Sequence, residues 1–508
     1  MIRRFAMALL ALAFAFAGVR GQVFADSPPA FFSPAFDAYV AKVMKDWHVP
    51  GVSIAIVEDG HTYTKGYGVR TLGDPAPVDA QTLFAIGSSS KAFTVAGLGM
   101  LVDEKKIAWD DRITKELPWF EMYDPYVTRE ITIRDALTHR SGLLRGDALW
   151  YGSDLKRDEI VRRIRYIKPA WSFRSKFEYN NLMLLTAGEI IPAVTGQNWD
   201  DFVRQRLFVP LGMTSSNTTI RALVGQADVA RPHQSIDGKL RVIPYRNIDN
   251  IAPAGAINSN AADMAHWMSM LLDGGTCGGR RLLQQSTVAQ MFTPQTIMPL
   301  EFPWTLYAPA SHFLDYGLGW LLFDYRGQKA VQHAGNIDGM SALVSMLPER
   351  RLGVTVLTNA DGDFLGNAVM YRVFDDVLGG AQSDQGATIL NIYHTEFEKG
   401  MQAKKKRDAQ RVTGTRPSLA LDRYAGIYRN DLYGDAVVTR AGKDVRFHLL
   451  GMTGKLEHWN FDTFRLLSNN PVDAKPLLTF ALGPHGDVAS LSIEDDPSMV
   501  FPRVDVEP

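Results

Sequence analysis

The strand-like segments that most constrain the fold lie at the two ends of one long stretch of chain. Residues 51–68 predict a β-hairpin, because apolar residues alternate with others from Val52 to Ile56 and a turn follows. Strand-like runs return within residues 342–357, after several helices that reach to about residue 275. A sheet that joins both ends, with helices between them, predicts an α+β domain.

A second, smaller domain is expected after this one. Residues 379–416 read as a linker followed by a polar helix, and residues 417–508 contain short strand-like runs separated by Gly and Asn turns. That spacing is typical of a small β-barrel or sandwich. The helix carries Lys404 to Arg407, which we interpret as a solvated helix face.

The first 25 residues are expected to form a cleaved signal peptide. Arg3 and Arg4 precede an apolar run over residues 5–19, and small residues lie at the positions before a cleavage site after Ala25. The alternative is a membrane anchor, but the run is shorter than the roughly 20 residues that a span requires. The mature chain, starting near Asp26, is therefore expected in the periplasm or secreted, with no stable membrane span. The first folded domain would then cover residues 26–378.

Composition excludes several classes of protein and site. The 508 residues carry a formal net charge of −1, which gives no field to attract nucleic acid. A single cysteine, Cys277, rules out an intramolecular disulfide and makes a Cys-rich metal site unexpected. The 11 histidines are scattered along the chain. We predict no metal and no organic cofactor.

An S-x-x-K motif, Ser88 to Lys91, opens a helix that is apolar nearly all round. Residues i and i+3 share a helix face, so the Lys91 side chain can lie beside the Ser88 hydroxyl. A lysine desolvated by an apolar helix can lose its proton near neutral pH and activate the serine. The same pattern at Ser153 to Lys156 precedes charged residues, and we interpret it as the start of a surface helix.

Two further motifs follow in order along the chain. Tyr179-Asn180-Asn181 supplies a phenol that can relay protons and a carboxamide, on Asn181, that can hold a substrate amide and the lysine. The alternative for Tyr179 is a tyrosine packed at a loop, because the Y-x-N pattern also occurs at Tyr245 and Tyr428. His333-Ala334-Gly335 is the single H-x-G of the chain, and lies on a strand-like segment.

This ordered trio resembles the serine β-lactamases and penicillin-recognising hydrolases. Y-x-N and H-x-G, in place of S-D-N and K-T-G, are similar to the branch with class C β-lactamases, D-aminopeptidase, esterases and alkaline D-peptidases. The resemblance covers about residues 35–378 and includes further family-like segments. These are Leu137 to Leu143, Pro210 to Met213, Pro253 to Gly255 and Tyr316 to Trp320.

The resemblance assigns a role to each motif residue. It implies that Ser88 is acylated, that Lys91 and Tyr179 handle its proton, and that Asn181 orients the acyl side chain. It also implies an oxyanion hole made by the backbone N–H groups of Ser88 and Asn336. The H-x-G segment, His333 to Gly335, would bind substrate. His333 stands where class C enzymes have a lysine, so it would contribute hydrogen bonds and at most a titratable charge.

The C-terminal part is similar to the lipocalin-like domain of a self-compartmentalising archaeal serine peptidase in the same superfamily. Such a domain would control access or assembly, with a homo-oligomer as one outcome, or would stabilise the hydrolase domain by packing. The whole chain is then expected to be a periplasmic or secreted serine hydrolase that acts on D-residue peptides or related β-lactam-like amides. An esterase, a true β-lactamase and a penicillin sensor without turnover remain alternatives, because all use the same residues.

Overall fold

The computed structural model describes residues 31–379, 383–494 and 496–504. The expected signal peptide lies outside these residues, and so do residues 380–382 of the expected linker. Within the described ranges, every helix is either too short or too polar to cross a bilayer.

A β-sheet of eight antiparallel strands carries the first domain, in the order β2-β1-β14-β13-β12-β11-β10-β9. Strand β1 pairs with β14, with Val52 opposite Thr358, so the two ends of the domain meet in one sheet as predicted. The strands of this domain are β1 (Gly51–Glu58), β2 (His61–Gly68), β3 (Phe84–Ala85), β4 (His233–Ile236), β5 (Lys239–Val242), β6 (Asn258–Ser259), β7 (Thr276–Cys277), β8 (Arg280–Arg281), β9 (Thr296–Ile297), β10 (Leu314–Tyr316), β11 (Leu321–Tyr325), β12 (Gln328–Ile337), β13 (Met340–Leu347) and β14 (Leu352–Thr358).

Helices cover both faces of this sheet. One buried cluster joins the long helical segment to one face, and a second joins the terminal helices to the other. The helices are α1 (Pro34–Asp46), α2 (Lys91–Asp103), α3 (Ile113–Glu116), α4 (Pro125–Glu130), α5 (Ile133–Leu137), α6 (Arg157–Arg163), α7 (Asn181–Thr195), α8 (Trp199–Val203), α9 (Val209–Leu211), α10 (Ala252–Gly255), α11 (Ala261–Leu272), α12 (Gln285–Met291), α13 (Leu365–Leu378) and α14 (Gln385–Ala409).

Helix α2 lies at the centre of the domain because its sequence has no polar face. Its first eleven residues, Lys91 to Leu101, are all buried. Such a helix has nowhere stable to lie except inside a core. The one ionisable side chain in that buried stretch, Lys91, is therefore carried into the interior, and the inner strand β12 lies against the turn before it.

The second domain is a closed barrel of eight antiparallel strands in sequence order. Its interior is filled by aromatic rings: Tyr424, Phe464 and Phe480 lie with ring centroids 5.0–5.6 Å apart. The interior is thus a packed core. The strands are β15 (Gly426–Asn430), β16 (Gly434–Ala441), β17 (Asp444–Leu449), β18 (Met452–Asn460), β19 (Thr463–Ser468), β20 (Leu477–Leu482), β21 (Val488–Ile493) and β22 (Val500–Val504).

A nearly buried ion pair joins the barrel to the first domain. Arg246 donates to Asp338, on the turn after β12, at 2.8 Å, and to Asp473, on a barrel loop, at 2.5 Å. The arginine side chain is 12% exposed and that of Asp473 16%. The barrel therefore packs against the turn that ends β12.

Replacing Asp473 with Asn is expected to lower the free energy of unfolding by about 2 kcal/mol, the usual range for a hydrogen bond to a charged group. The matched control is Asp435→Asn, which breaks the exposed barrel pair with Arg429 and should cost less than about 1 kcal/mol. Urea denaturation of the full chain measures both values. Equal losses in the two variants would mean that the interdomain pair contributes no more than a surface pair.

Candidate active site

Ser88 lies in a short 3-10 turn, Gly87–Ser90, that leads directly into α2. The neighbouring hydroxyls are occupied, because Ser89 donates to the His333 carbonyl at 3.1 Å and Ser90 to the Gly87 carbonyl at 2.7 Å. Ser88 Oγ lies 2.8 Å from Lys91 Nζ. Of the three serines, Ser88 is the one that contacts the lysine and faces open space.

Lys91 is fully buried, and its three partners lie at hydrogen-bond distance. Nζ is 2.8 Å from each of Ser88 Oγ, Asn181 Oδ1 and the Ala254 carbonyl oxygen. Burial lowers the pKa of Lys91 well below its usual range, and the positive charge of Arg145 lowers it further. Lys91 can therefore be a neutral amine at physiological pH.

The partners of the neutral amine determine which way its lone pair points. A neutral amine has two hydrogens and one lone pair, and the oxygens of Asn181 and Ala254 can only accept. The two hydrogens go to these oxygens, which leaves the lone pair for the Ser88 hydroxyl. This is the arrangement that a general base needs to take the serine proton.

Tyr179 covers the lysine with its ring. The Tyr179 side chain is half-buried. Its ring centroid lies 4.9 Å from Lys91 Nζ and 5.3 Å from the Arg145 guanidinium. Burial raises the pKa of Tyr179 above its usual range, although interaction with Ser88 opposes that shift. The phenol stays protonated at neutral pH, so it can pass on a proton but is not itself a phenolate base.

Asn181 is oriented by a carboxylate that the sequence analysis missed. Its Nδ2 donates to Asp147 Oδ1 at 3.1 Å, and because a carboxylate only accepts, Oδ1 of the amide is left for Lys91. Asp147 in turn accepts from Trp150 at 2.7 Å and from Arg145 at 2.6 Å. Arg145 and Asp147 stand on a loop without a motif, so no spacing signal could have identified them.

His333 lies on β12 and is uncharged. Its Nδ1 is 2.6 Å from the Ala334 carbonyl oxygen, which can only accept, so Nδ1 carries the proton and Nε2 accepts from the Tyr316 hydroxyl at 2.9 Å. Burial lowers the pKa of His333 to about 3. The titration near pH 6.5 that is ordinary for histidine is therefore absent from His333.

Two glycines bring β12 against the turn that holds the serine. A Cβ on Gly335 would lie 1.8 Å from the Ile86 oxygen, and a Cβ on Gly87, whose φ is +48°, would lie 2.6 Å from the Asn336 nitrogen. Only glycine fits at both positions. The backbone nitrogens of Ser88 and Asn336 are thus close neighbours, as the resemblance implies for an oxyanion hole.

Ser88 lies where two cavities meet. The first, of about 430 Å³, is lined by Tyr179, His333 and mainly apolar side chains, and we call it the apolar cavity. The second, of about 360 Å³, is lined by Asn181 and several carboxylates, and we call it the polar cavity. A scissile bond held over Ser88 can therefore extend a group into each.

The alternative motif residues are engaged elsewhere. Ser153 Oγ donates to the Leu149 carbonyl at 2.6 Å, Tyr245 donates to the Ala230 carbonyl, and Tyr428 donates to the Tyr424 carbonyl inside the barrel. The structure brings together Ser88, Lys91, Tyr179, Asn181, His333, Gly335 and Asn336, and none of these competitors. In the described ranges, no three metal-binding side chains are grouped to hold an ion.

Replacing His333 with Asn is expected to lower kcat/KM about tenfold, the equivalent of one hydrogen bond of about 1.4 kcal/mol. It should leave the shape of the pH profile between pH 5 and 8 unchanged, because an imidazole with a pKa of about 3 does not titrate there. A wild-type step near pH 6.5 that disappears in this variant would contradict the neutral assignment. Steady-state rates across that range test both points.

Comparison with known proteins places these motifs in a family. Residues 36–375 match the family model described as Beta-lactamase, and residues 410–508 match a domain of unknown function, DUF3471. Unguisins hydrolase ungD of Aspergillus violaceofuscus (strain CBS 115571) is 29% identical over 449 residues, which cover 81% of this chain and 77% of that protein. Penicillin-binding protein 4 of Amycolatopsis lactamdurans is 28% identical over 361 residues, which cover 69% of this chain and 89% of that protein.

Solved structures share the fold across both domains. The octameric penicillin-binding protein homologue from Pyrococcus abyssi superposes with a TM-score of 0.60 at 21% identity, over 92% of this chain and 98% of that one. The structure of SurE superposes with a TM-score of 0.54 at 19% identity, over 92% and 98%. Because the family match covers more than half of the sequence, the chain belongs to the β-lactamase family and is a serine hydrolase of the β-lactamase and penicillin-binding type.

Proposed function

We propose that this protein is an exported serine hydrolase that forms an acyl-enzyme on Ser88 and cleaves amide bonds in peptides containing D-residues. The observation that carries the proposal is the buried Lys91 amine, which lies 2.8 Å from Ser88 Oγ and whose two other partners are oxygens that can only accept. Export rests on the signal-like pattern of residues 1–25.

The first half of the reaction forms the acyl-enzyme. Ser88 Oγ attacks the substrate carbonyl carbon while its proton passes to Lys91 Nζ. The carbonyl oxygen becomes an oxyanion beside the backbone N–H groups of Ser88 and Asn336. The carbon–nitrogen bond then breaks, and the leaving amine takes a proton through the Tyr179 hydroxyl, which Lys91 re-supplies.

The second half hydrolyses the ester. A water molecule gives one proton to the restored base and attacks the acyl carbon, and Ser88 Oγ leaves and recovers its proton. The same groups serve in both directions, as microscopic reversibility requires. Asn181, held between Lys91 and Asp147, would orient the acyl side chain in the polar cavity.

The names of the relatives do not decide among the substrates. One is named for hydrolysis of unguisins and another for binding penicillin. A substrate panel on the purified chain decides: D-residue peptides, short esters and a cephalosporin, each with product analysis and with Ser88→Ala as the blank. Fastest turnover of a D-residue peptide is expected.

The same panel separates three competing assignments. Preference for esters or for the cephalosporin would assign an esterase or a β-lactamase. A burst of one equivalent of product without a steady state would assign a penicillin sensor that is acylated and not turned over.

We propose in addition that the barrel mediates a homo-oligomer. A structural neighbour with the same two-domain fold is described as octameric. Light scattering of the full chain tests the proposal, and a monomer at the concentrations used for assay would overturn it. In that case the barrel would serve by packing on the turn after β12.

A further inference from the structure

The apolar cavity begins at the reacting groups and continues as a line of aromatic rings. The Trp304 ring centroid lies 6.2 Å from that of Tyr179, Tyr307 lies 6.1 Å from Trp304, and Phe364 lies 5.3 Å from Tyr307. All four rings line the cavity. A group that leaves Ser88 on the Tyr179 side therefore meets a continuous aromatic wall.

Aliphatic side chains of the sheet form the opposite wall. Leu321, Leu343 and Val356, on β11, β13 and β14, line the cavity and are at most 4% exposed. Removing an apolar group from water into such a space is favourable. At about 430 Å³ the cavity is large enough for an aromatic side chain.

One polar group in this cavity has no partner. Asn367, in the first turn of α13, lines the cavity and is 3% exposed, and its Nδ2 has no hydrogen-bond partner among the described residues. Less than 1 Å² of that nitrogen is accessible, so a ligand acceptor reaches it once the Asn367 side chain rotates toward the cavity. An unsatisfied buried donor is unfavourable, and a ligand acceptor would satisfy it.

The Asp363 carboxyl determines whether a charged or an uncharged ligand acceptor is favoured in this cavity. Asp363 lines the same cavity and accepts from the Thr358 hydroxyl at 2.6 Å and from the Leu365 backbone at 3.0 Å. Burial raises the pKa of Asp363 to about 6, so it is ionised at pH 8. Arg145 also lines the cavity, near Tyr179, but its charge is paired with Asp147. Beside Asp363 an anionic ligand would be repelled, whereas an uncharged carbonyl or hydroxyl oxygen would not.

We propose that the apolar cavity binds a bulky, uncharged apolar residue on the leaving-group side of the scissile bond, with Asn367 as its hydrogen-bond donor. The proposal rests on the proposed function for the position of the scissile bond. The side is assigned by Tyr179, which would protonate the leaving amine and lines this cavity, whereas Asn181 lines the other.

Three small probes isolate the features of the cavity. Benzamide carries a ring and an uncharged acceptor, benzoate carries the same ring with a negative charge, and acetamide carries the acceptor alone. At pH 8, calorimetry on the full chain should show benzamide binding at least about tenfold tighter than benzoate and than acetamide. Benzamide should also protect Ser88 from a small fluorophosphonate. Equal affinities, or tighter binding of benzoate, would overturn the proposal.

Two variants locate the binding. Trp304→Ala and Asn367→Leu should each weaken benzamide about tenfold. The matched control is Trp171→Ala, which removes an exposed tryptophan that contacts Lys176 and lines neither cavity. Loss of benzamide affinity in the control as well, or unchanged affinity in both test variants, would contradict this site.

Hydrolysis supplies an independent second measurement. In acetyl-D-alanyl-X-amide peptides, kcat/KM should fall about 10²-fold from X = phenylalanine to X = alanine, and further for glutamate. Trp304→Ala should shrink the ratio of phenylalanine to alanine. Benzamide binding with no peptide cleavage would fault the proposed reaction and leave the cavity assignment supported, whereas cleavage that is indifferent to X would fault the cavity alone.

Discussion

Replacing Ser88 with alanine is expected to abolish covalent labelling and to lower kcat on the order of 10⁶-fold, the loss typical of a removed nucleophile. The reason is geometric: Ser88 Oγ is the hydroxyl that lies 2.8 Å from the buried Lys91 amine. Its neighbours, Ser89 and Ser90, already donate to carbonyl oxygens and cannot take its place. A fluorophosphonate adduct, located by peptide mass spectrometry, gives the measurement.

The control for this experiment is the second S-x-x-K of the chain. Ser153→Ala should keep full labelling and turnover, because Ser153 donates to the Leu149 carbonyl and lines neither the apolar nor the polar cavity. An adduct that persists in Ser88→Ala, or a loss of labelling in Ser153→Ala, would move the nucleophile away from Ser88.

The parts of the site that follow from local geometry could be predicted from the sequence. Ser88 and Lys91 are three residues apart at the start of one helix, so their contact needs no knowledge of the rest of the fold. Tyr179 and Asn181 stand beside the start of α7, where Asn180 caps the helix by accepting from the Met183 backbone. Their order along the chain then sufficed to single them out.

The parts that depend on distant contacts could not be predicted. Arg145 and Asp147 pair with each other on one loop, and they reach the site through Tyr179 and Asn181, which lie more than 30 residues further along the chain. The large downward shift of the His333 pKa, to about 3, also escaped prediction, because it arises from burial. A sequence shows the residue type but not the desolvation that lowers its pKa.

The same distinction applies to the fold. The pairing of β1 with β14 followed from two apolar strands at the ends of one domain. Closure of the second domain into a barrel could not be predicted, because apolar and polar residues alternate along the strands of a barrel and of a sandwich in the same way. What distinguishes them is the pairing of β15 with β22, Ile427 opposite Val504, between the two ends of the domain.

Lys91→Ala and Tyr179→Phe are each expected to lower kcat/KM by about 10²–10⁴-fold, the usual contribution of general acid–base catalysis. Lys91 is the group whose lone pair faces Ser88, and Tyr179 is the protonated phenol that covers it at 4.9 Å. Because the two would pass one proton, the double variant should lose far less than the product of the single losses. Multiplicative losses would show that they act independently.

The pH dependence separates the two roles further. A base acts when it is deprotonated, so activity should fall as the pH falls through the lowered pKa of Lys91. Tyr179 has a raised pKa and stays protonated throughout that range, so Tyr179→Phe should keep this acidic limb while lowering the plateau. Lys91→Ala should flatten the limb, measured as kcat/KM from pH 5 to 9 with a short ester. If instead Tyr179→Phe removes the limb and Lys91→Ala retains it, the proton acceptor is not Lys91, and the lone-pair geometry around its amine has been assigned the wrong role.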